Sequence, residues 1–308
     1  MKKTHELDYY TVDVFTRTAL AGNPLAVVMN TAALTTERMQ AIAREFNLSE
    51  TTFVERGPID AEHADGVRVR IFTTQEELNF AGHPTLGTAS VLRMVAPETA
   101  VADTIKLRLN VGTVPVRFEG EGLTGEMTQK DPEFGAELDR DSVARLCGLH
   151  AGDLHPSLPP QVVSTGTAFA IVVVRSLEAL GLLKVNHDEA TPWLRERGAR
   201  WFYVLAPDLD TSGKGSRYRA RMQFYGGEDP ATGSAAGCAI GYLALRGAVA
   251  TGEAVLLRQG VEMGRPSDLR LSARCENPAA GGPLDAKVTD VRVAGSTVLV
   301  AKGRLFLP

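Results

Sequence analysis

The chain has 308 residues, which suits one large domain or two lobes, with ample core for either. With 44% hydrophobic and 23% charged residues and a formal net charge of -4, it offers no electrostatic case for nucleic acid or an anionic membrane as partner. No apolar stretch is long enough to span a bilayer, and the start, MKKTHELDYY, has two lysines but no apolar run after them, so neither an anchor nor a signal peptide is expected.

In chain order, Tyr9 to Phe15 reads as a first strand and Gly22-Asn23-Pro24 as the turn after it. Thr36 to Phe46 is an amphipathic helix, with Met39, Ile42, Ala43 and Phe46 on one face. The stretch Asn47 to Val54 passes from that helix into a β-branched strand and puts Glu50 at the passage. Val67 to Phe72 alternates as a strand. A helix from Pro84 to Leu92 has no charged face, which predicts burial on all sides. Ile105 to Asn110 and Val114 to Phe118, with turns at 110–112 and 119–122, predict an antiparallel meander.

Beyond a break near Gln129-Lys130-Asp131-Pro132, Ser164-Thr165-Gly166 precedes the apolar run Phe169 to Val174. Thr191-Pro192 to Gly198 reads as a helix with an N-cap, a proline at its first position and a glycine after its end. Gly213 to Ser216 and Asn277 to Pro283 read as loops. Ser234 to Leu245 is a second helix without a charged face. A last strand, Thr297 to Ala301, is expected to return to the first lobe.

The two uncharged helices sit in similar surroundings. With Gly82 aligned on Gly233, Ala81 meets Thr232, Glu77 meets Glu228, and Arg70 and Arg221 both lie twelve residues upstream in strand-like runs. Strands are the only abundant neighbours, so each helix is expected inside a curved sheet. The expected fold is α+β: two pseudo-equivalent lobes, each a curved, mostly antiparallel sheet around a central buried helix. The lobes are placed at 1–129, completed by 297–308, and at 130–296, with the active site in the cleft between them.

Candidate chemistry gathers at the helix starts. Gly82 and His83, and likewise Gly233 and Ser234, present backbone N–H groups at a helix N-terminus, where free amides and the macrodipole favour anions. Two such ends across a cleft would hold a small carboxylate; alternatively, the amides are merely solvated. Glu50 is either a solvated strand-edge residue or a catalytic carboxylate. Asp229 and Glu228 are either acids complementing the helix dipole or part of a site. His83, between Gly82 and Pro84, is committed to a turn rather than to core packing, and is a candidate proton donor or substrate partner. Asn23, Ser164 and Gly166 either line the cleft or serve turns. Cys147, Cys238 and Cys275 form no CxxC pair, which points to a reduced, cytoplasmic protein, and they read as buried small hydrophobes. The six histidines show no metal spacing and GxxxxGK[ST] does not occur, so no cofactor and no metal are expected.

Five stretches together resemble the PhzF phenazine-biosynthesis family: Gly22-Asn23-Pro24, Asn47 to Val54 (NLSETTFV), Phe80 to Gly87 (FAGHPTLG), Glu228 to Gly237 (EDPATGSAAG) and Gln259 to Ser267 (QGVEMGRPS). They occur in family order and cover essentially the whole chain. The resemblance implies the diaminopimelate epimerase fold, a homodimer, no cofactor, and isomerisation of trans-2,3-dihydro-3-hydroxyanthranilate. It assigns the general acid/base to Glu50, whose pKa should be raised by burial for that role, and places His83, Asp229 and Ser234 around the substrate as groups that help to move protons. Epimerases and racemases of this fold use two opposed cysteines, whose positions here are Ala81 and Thr232, so two-thiol racemisation is disfavoured. Pro230, in DPATGSA, resembles the broad family rather than its phenazine-specific branch, which leaves the small carboxylic acid substrate open. Two rivals remain: an epimerase, racemase or dehydratase using Glu50 and Asp229 as opposed bases, and a non-enzymatic binding protein on the same scaffold.

Overall fold

A computed structural model describes residues 5–208, 216–224, 227–276 and 286–307. The loop expected at Asn277–Pro283 lies outside them, as does that at Gly213–Ser216 apart from Ser216. Contacts divide the chain into two units, Met1–Met127 with Ala294–Pro308, and Thr128–Val293.

The first unit runs β1 (His5–Val14), β2 (Asn23–Val28), α1 (Thr36–Phe46), β3 (Glu50–Glu55), α2 (Ile59–Asp65), β4 (Val67–Phe72), a short β5 (Glu77–Leu78), α3 (Gly82–Val95), β6 (Thr104–Leu109), β7 (Gly112–Phe118) and β8 (Thr124–Thr128). The second runs β9 (Glu133–Glu137), α4 (Arg140–Leu146), β10 (Gln161–Ser164), β11 (Ala168–Val173), α5 (Leu177–Gly181), α6 (His187–Glu196), β12 (Trp201–Pro207), β13 (Arg217–Arg221), β14 (Gln223–Phe224), β15 (Gly227–Glu228), α7 (Gly233–Leu245), β16 (Val255–Gln259) and β17 (Ser267–Glu276). A final strand, β18 (Lys287–Leu307), begins in the second unit and ends in the first.

In the first unit the strand order β1-β2-β3-β4-β6-β7-β8-β18 closes on itself through the β1–β18 pairing, giving an eight-stranded barrel. Thr297 to Leu307 supply that closing ladder, antiparallel to β1. The pairs β2–β3 and β4–β6 are parallel, each joined through a helix. Helix α3 packs against β1, β2, β3, β6 and β7, and every residue from Gly82 to Leu92 is buried, which is why its sequence carries no polar face. Gly87 permits the close approach: a Cβ there would lie 2.6 Å from Leu25 Cδ2 and 2.7 Å from Val14 Cγ2. Helix α1 covers the other side of the sheet, with Met39, Ile42 and Ala43 packed on Val28, Phe53 and Phe72. Both of its ends are capped locally: the Thr35 hydroxyl accepts from the Arg38 N–H, and Asn47 turns into the left-handed region at φ 51°.

The second unit repeats this plan in the order β18-β17-β16-β13-β12-β11-β10-β9. Its parallel pairs are β11–β12, connected through α5 and α6, and β13–β16, connected through α7, itself buried from Ala235 to Leu245. The duplication extends to side chains. Arg70 makes a two-pronged ion pair with Glu77 at 2.8 and 2.6 Å, and Arg221 makes one with Glu228 at 2.9 and 2.7 Å. The hairpin registers correspond as well, Phe72 opposite Glu77 and Gln223 opposite Glu228. The fold is therefore α+β, two units of like topology, each a mostly antiparallel sheet around a buried helix.

One element differs from expectation. Helix α6 starts at His187, capped by the Asn186 side chain, which accepts from the Glu189 N–H, and Pro192 lies inside it rather than at its start. Burial of Ala190 and Leu194 in the unit's core outweighs the single ladder bond that the proline forfeits. Among the described residues no helix is long and apolar enough to cross a membrane.

Candidate active site

The first unit brings Glu50, His83 and Asn23 together. Asn47 ends α1 in a left-handed turn, and within three residues the chain enters β3, whose first residue, Glu50, pairs with Leu25 of β2. The Glu50 side chain is 16% exposed, and its Oε2 lies 3.4 Å from His83 Nε2. His83 is the second residue of α3 and only 5% exposed, so the turn histidine expected to stand clear of the core is in fact buried. Its Nδ1 lies 3.2 Å from Asn23 Nδ2, and Asn23 is the fully buried first residue of β2 rather than part of an open turn. Burial pushes the His83 pKa down to about 3, against the opposing pull of a hydrogen bond to the backbone of Pro24, where only the carbonyl can take part. The imidazole is therefore neutral at pH 7.

Gly82, His83 and Pro84 are the first three residues of α3, so their nitrogens stand outside the helical ladder, which begins with the Thr85 N–H on the Ala81 carbonyl at 3.2 Å. Pro84 occupies the third position, not the first as expected, where its missing N–H is equally unneeded. A contact that sequence reading missed holds the two elements in register: the hydroxyls of Thr52 on β3 and Thr88 on α3 are buried and 2.8 Å apart.

In the second unit the start of α7 is organised around Asp229. The Thr232 hydroxyl, at the N-cap, donates to Asp229 Oδ2 at 2.6 Å, and Gly233 and Ser234 are the first two helical residues. The Ser164-Thr165-Gly166 turn reaches the same helix start. Its Thr165 hydroxyl donates to Gln129 Oε1 at 2.7 Å, and Gln129 Nε2 donates to the Gly233 carbonyl at 2.9 Å. Ser164 Oγ accepts from the Gly166 N–H at 3.1 Å, and Gly166 adopts a φ of 133°. Gln129 and Thr165 were not among the expected site residues. A Cβ at Gly237 would lie 2.0 Å from Gln129 Oε1, so that glycine is what lets the glutamine reach the helix. Glu228 is held by Arg221 and is a structural acid.

All three cysteines are free and buried. Burial raises the Cys147 thiol far out of the titratable range and pushes Cys238 up to about 11. The N-cap positions of the two buried helices are Ala81 and Thr232, neither of which can supply a thiolate.

The model of the phenazine biosynthesis-like protein family matches residues 12–303. The chain belongs to the PhzF family. A trans-2,3-dihydro-3-hydroxyanthranilate isomerase of Pseudomonas aeruginosa is 35% identical over 97% of this chain and 99% of its own length. A PhzF-family phenazine biosynthesis protein of Bacillus anthracis superposes with a TM-score of 0.81 at 25% identity, covering 98% of this chain and 99% of that one. A hydroxyproline epimerase of Agrobacterium vitis shares the fold, with a TM-score of 0.60 at 12% identity over 100% of this chain and 94% of its own. Membership in the PhzF family makes the chain an isomerase, and the epimerase fold expected from its motifs is the one it adopts.

Proposed function

We propose that the chain is a general acid–base isomerase acting on a small carboxylic acid, of the trans-2,3-dihydro-3-hydroxyanthranilate isomerase type, with Glu50 as the group that moves the proton. The observation that carries this reading is the contact of Glu50 Oε2 with a neutral, buried His83 at 3.4 Å. A neutral ring forms no ion pair with the carboxylate, so this contact leaves Glu50 usable as base and then as acid.

In this reading Glu50 removes the proton from the ring carbon that bears the hydroxyl and returns it at the far end of the conjugated diene. The C–H bond broken at one carbon is replaced by one at the other, and the resulting enol becomes the ketone as its O–H proton is lost to water and a proton from water adds to the enol carbon. One carboxylate suffices where both carbons lie on one face of the ring. Asn23 holds the imidazole, and His83 serves as a neutral hydrogen-bonding partner for substrate or for Glu50. Asp229 is proposed as a further catalytic group that helps to move protons, and Asn23, Gly82, Gly233, Ser234, Ser164 and Gly166 as substrate-binding residues, with the substrate carboxylate on helix-start amides. The enzyme is proposed to work as a cytoplasmic homodimer without a cofactor.

Proton NMR in D2O with trans-2,3-dihydro-3-hydroxyanthranilate tests the reading. Wild type is expected to convert it and Glu50→Gln to be slowed by at least about a hundredfold, in line with loss of a general acid–base group. Equal rates would remove Glu50 from the mechanism. No conversion by either protein would reject this substrate.

A further inference from the structure

We propose that Gln259 is a positioning residue for the acid–base site, aiming the Thr232 hydroxyl at Asp229 and fixing the turn from which α7 starts. The inference rests on the reading of Asp229 as part of that site.

Gln259 ends β16 and is fully buried. The strand then turns at Gly260, φ 77°, where a Cβ would lie 2.4 Å from the Arg265 carbonyl oxygen and 2.7 Å from that of Pro230. Only glycine lets the backbone press against Pro230 so closely, and this brings the Gln259 amide under the 229–232 turn.

All four hydrogen-bonding positions of that amide are used. Its Oε1 accepts from the Thr232 N–H at 3.1 Å and from the Tyr203 hydroxyl at 2.8 Å. Its Nε2 donates to the Asp229 carbonyl at 2.7 Å and to Thr232 Oγ1 at 3.0 Å. A backbone N–H can only donate and a backbone carbonyl can only accept, so these two partners fix which end of the amide is which. The consequence falls on Thr232. Its oxygen receives a proton from Gln259, so its own single proton goes elsewhere, and Asp229 Oδ2 at 2.6 Å takes it. The direction of the chain Gln259 to Thr232 to Asp229 is therefore set by a residue that need not touch substrate.

Two substitutions separate this role from simple packing. An ionised carboxylate in Gln259→Glu keeps the acceptor for the Thr232 N–H and Tyr203, but replaces the donor facing Thr232 Oγ1 with an acceptor. The Thr232 proton is then drawn away from Asp229. Thr232→Val removes the same proton while preserving shape and the backbone bond to Gln259, and stands in should Gln259→Glu fold poorly. Each is expected to lower kcat at least tenfold, equivalent to ~1.4 kcal/mol, with KM changed much less. The double variant is expected to be little worse than either single one, because both act through one proton. A readout that needs no substrate is the titration of the Asp229 carboxyl carbon by 13C NMR, assigned by its loss in Asp229→Asn. Its midpoint should rise by about one unit in either variant when the donated hydrogen bond is lost. If wild type fails to convert the dihydro-hydroxyanthranilate, the functional reading falls and the Asp229 titration alone decides this inference. An unmoved midpoint, or loss of thermal stability with kcat unchanged, overturns it.

Discussion

The charge state of His83 decides what Glu50 faces, and stability against pH reads it out with a definite sign. The folded-state pKa is about 3, against 6.5 for the free side chain. The unfolded chain therefore binds a proton that the folded chain refuses throughout the window between these values. Stability from this residue is fully present above pH 6.5 and is lost as pH falls towards 3. Worked from the two pKa values, the loss attributable to His83 between pH 7 and pH 5 is ~2 kcal/mol. The assay is guanidinium denaturation of wild type and His83→Gln at pH 7, 6 and 5. The absolute stabilities will differ because of packing, but the wild-type curve should fall more steeply on acidification by about that amount. An imidazolium paired with the Glu50 carboxylate would act oppositely, raising the folded pKa and making wild type gain on the variant as pH falls. Parallel curves or a gain would refute the neutral imidazole, and with it the account of the Glu50–His83 contact. Proton NMR of the His83 ring, whose signals should not titrate between pH 8 and pH 5, checks the same point directly.

Two predictions concern the duplicated frame. Gly87→Ala places a methyl group within 2.7 Å of Val14 and Leu25 and should lower stability by ~1–3 kcal/mol, visible as a reduced melting temperature; an unchanged value would mean that α3 can back away from β1 and β2. Glu228→Gln leaves the largely buried Arg221 without its carboxylate and should cost ~3 kcal/mol or more in denaturant melts, whereas Asp268→Asn beside the half-exposed Arg258 should cost less than ~1 kcal/mol; similar losses would contradict the assignment of Arg221–Glu228 as a buried frame element.

What could be read from the sequence follows the range of the interactions. Helix α1 was legible to the residue because Thr35 and Asn47 cap it within a turn of its own ends. Helix α6 was not, because Pro192 is a strong local stop signal while the burial of Ala190 and Leu194 that overrides it comes from distant strands. A better signal stood nearby: Asn186, three residues before Glu189, bonds both to the Glu189 N–H and to its carboxylate. Glu50, His83 and Asp229 were named from their motifs, yet the burial of His83 depends on Asn23, sixty residues away. Gln259 was visible only as a letter in a motif, since its partners lie 27, 30 and 56 residues from it. No periodicity or spacing rule reports a fully paired amide.

The duplication makes its own exceptions informative. Strand pairing begins at corresponding places in the two units, Leu25 opposite Glu50 in one and Phe169 opposite Trp201 in the other. The frame acids Glu77 and Glu228 are both paired with their arginines, so the two units share this element. What differs is the chemistry at the helix starts. One copy has a carboxylate beside a buried neutral imidazole, and the other has a tryptophan at the carboxylate's place and an aspartate tied to the N-cap threonine. A reaction that inverts a stereocentre uses two bases on opposite faces, and a duplicated frame supplies them most simply from equivalent positions. Here the equivalent positions are not equivalent in chemistry. Under the proposed function such an arrangement suits a proton that leaves and returns through Glu50, because Trp201, at the equivalent place in the second unit, cannot act as a base.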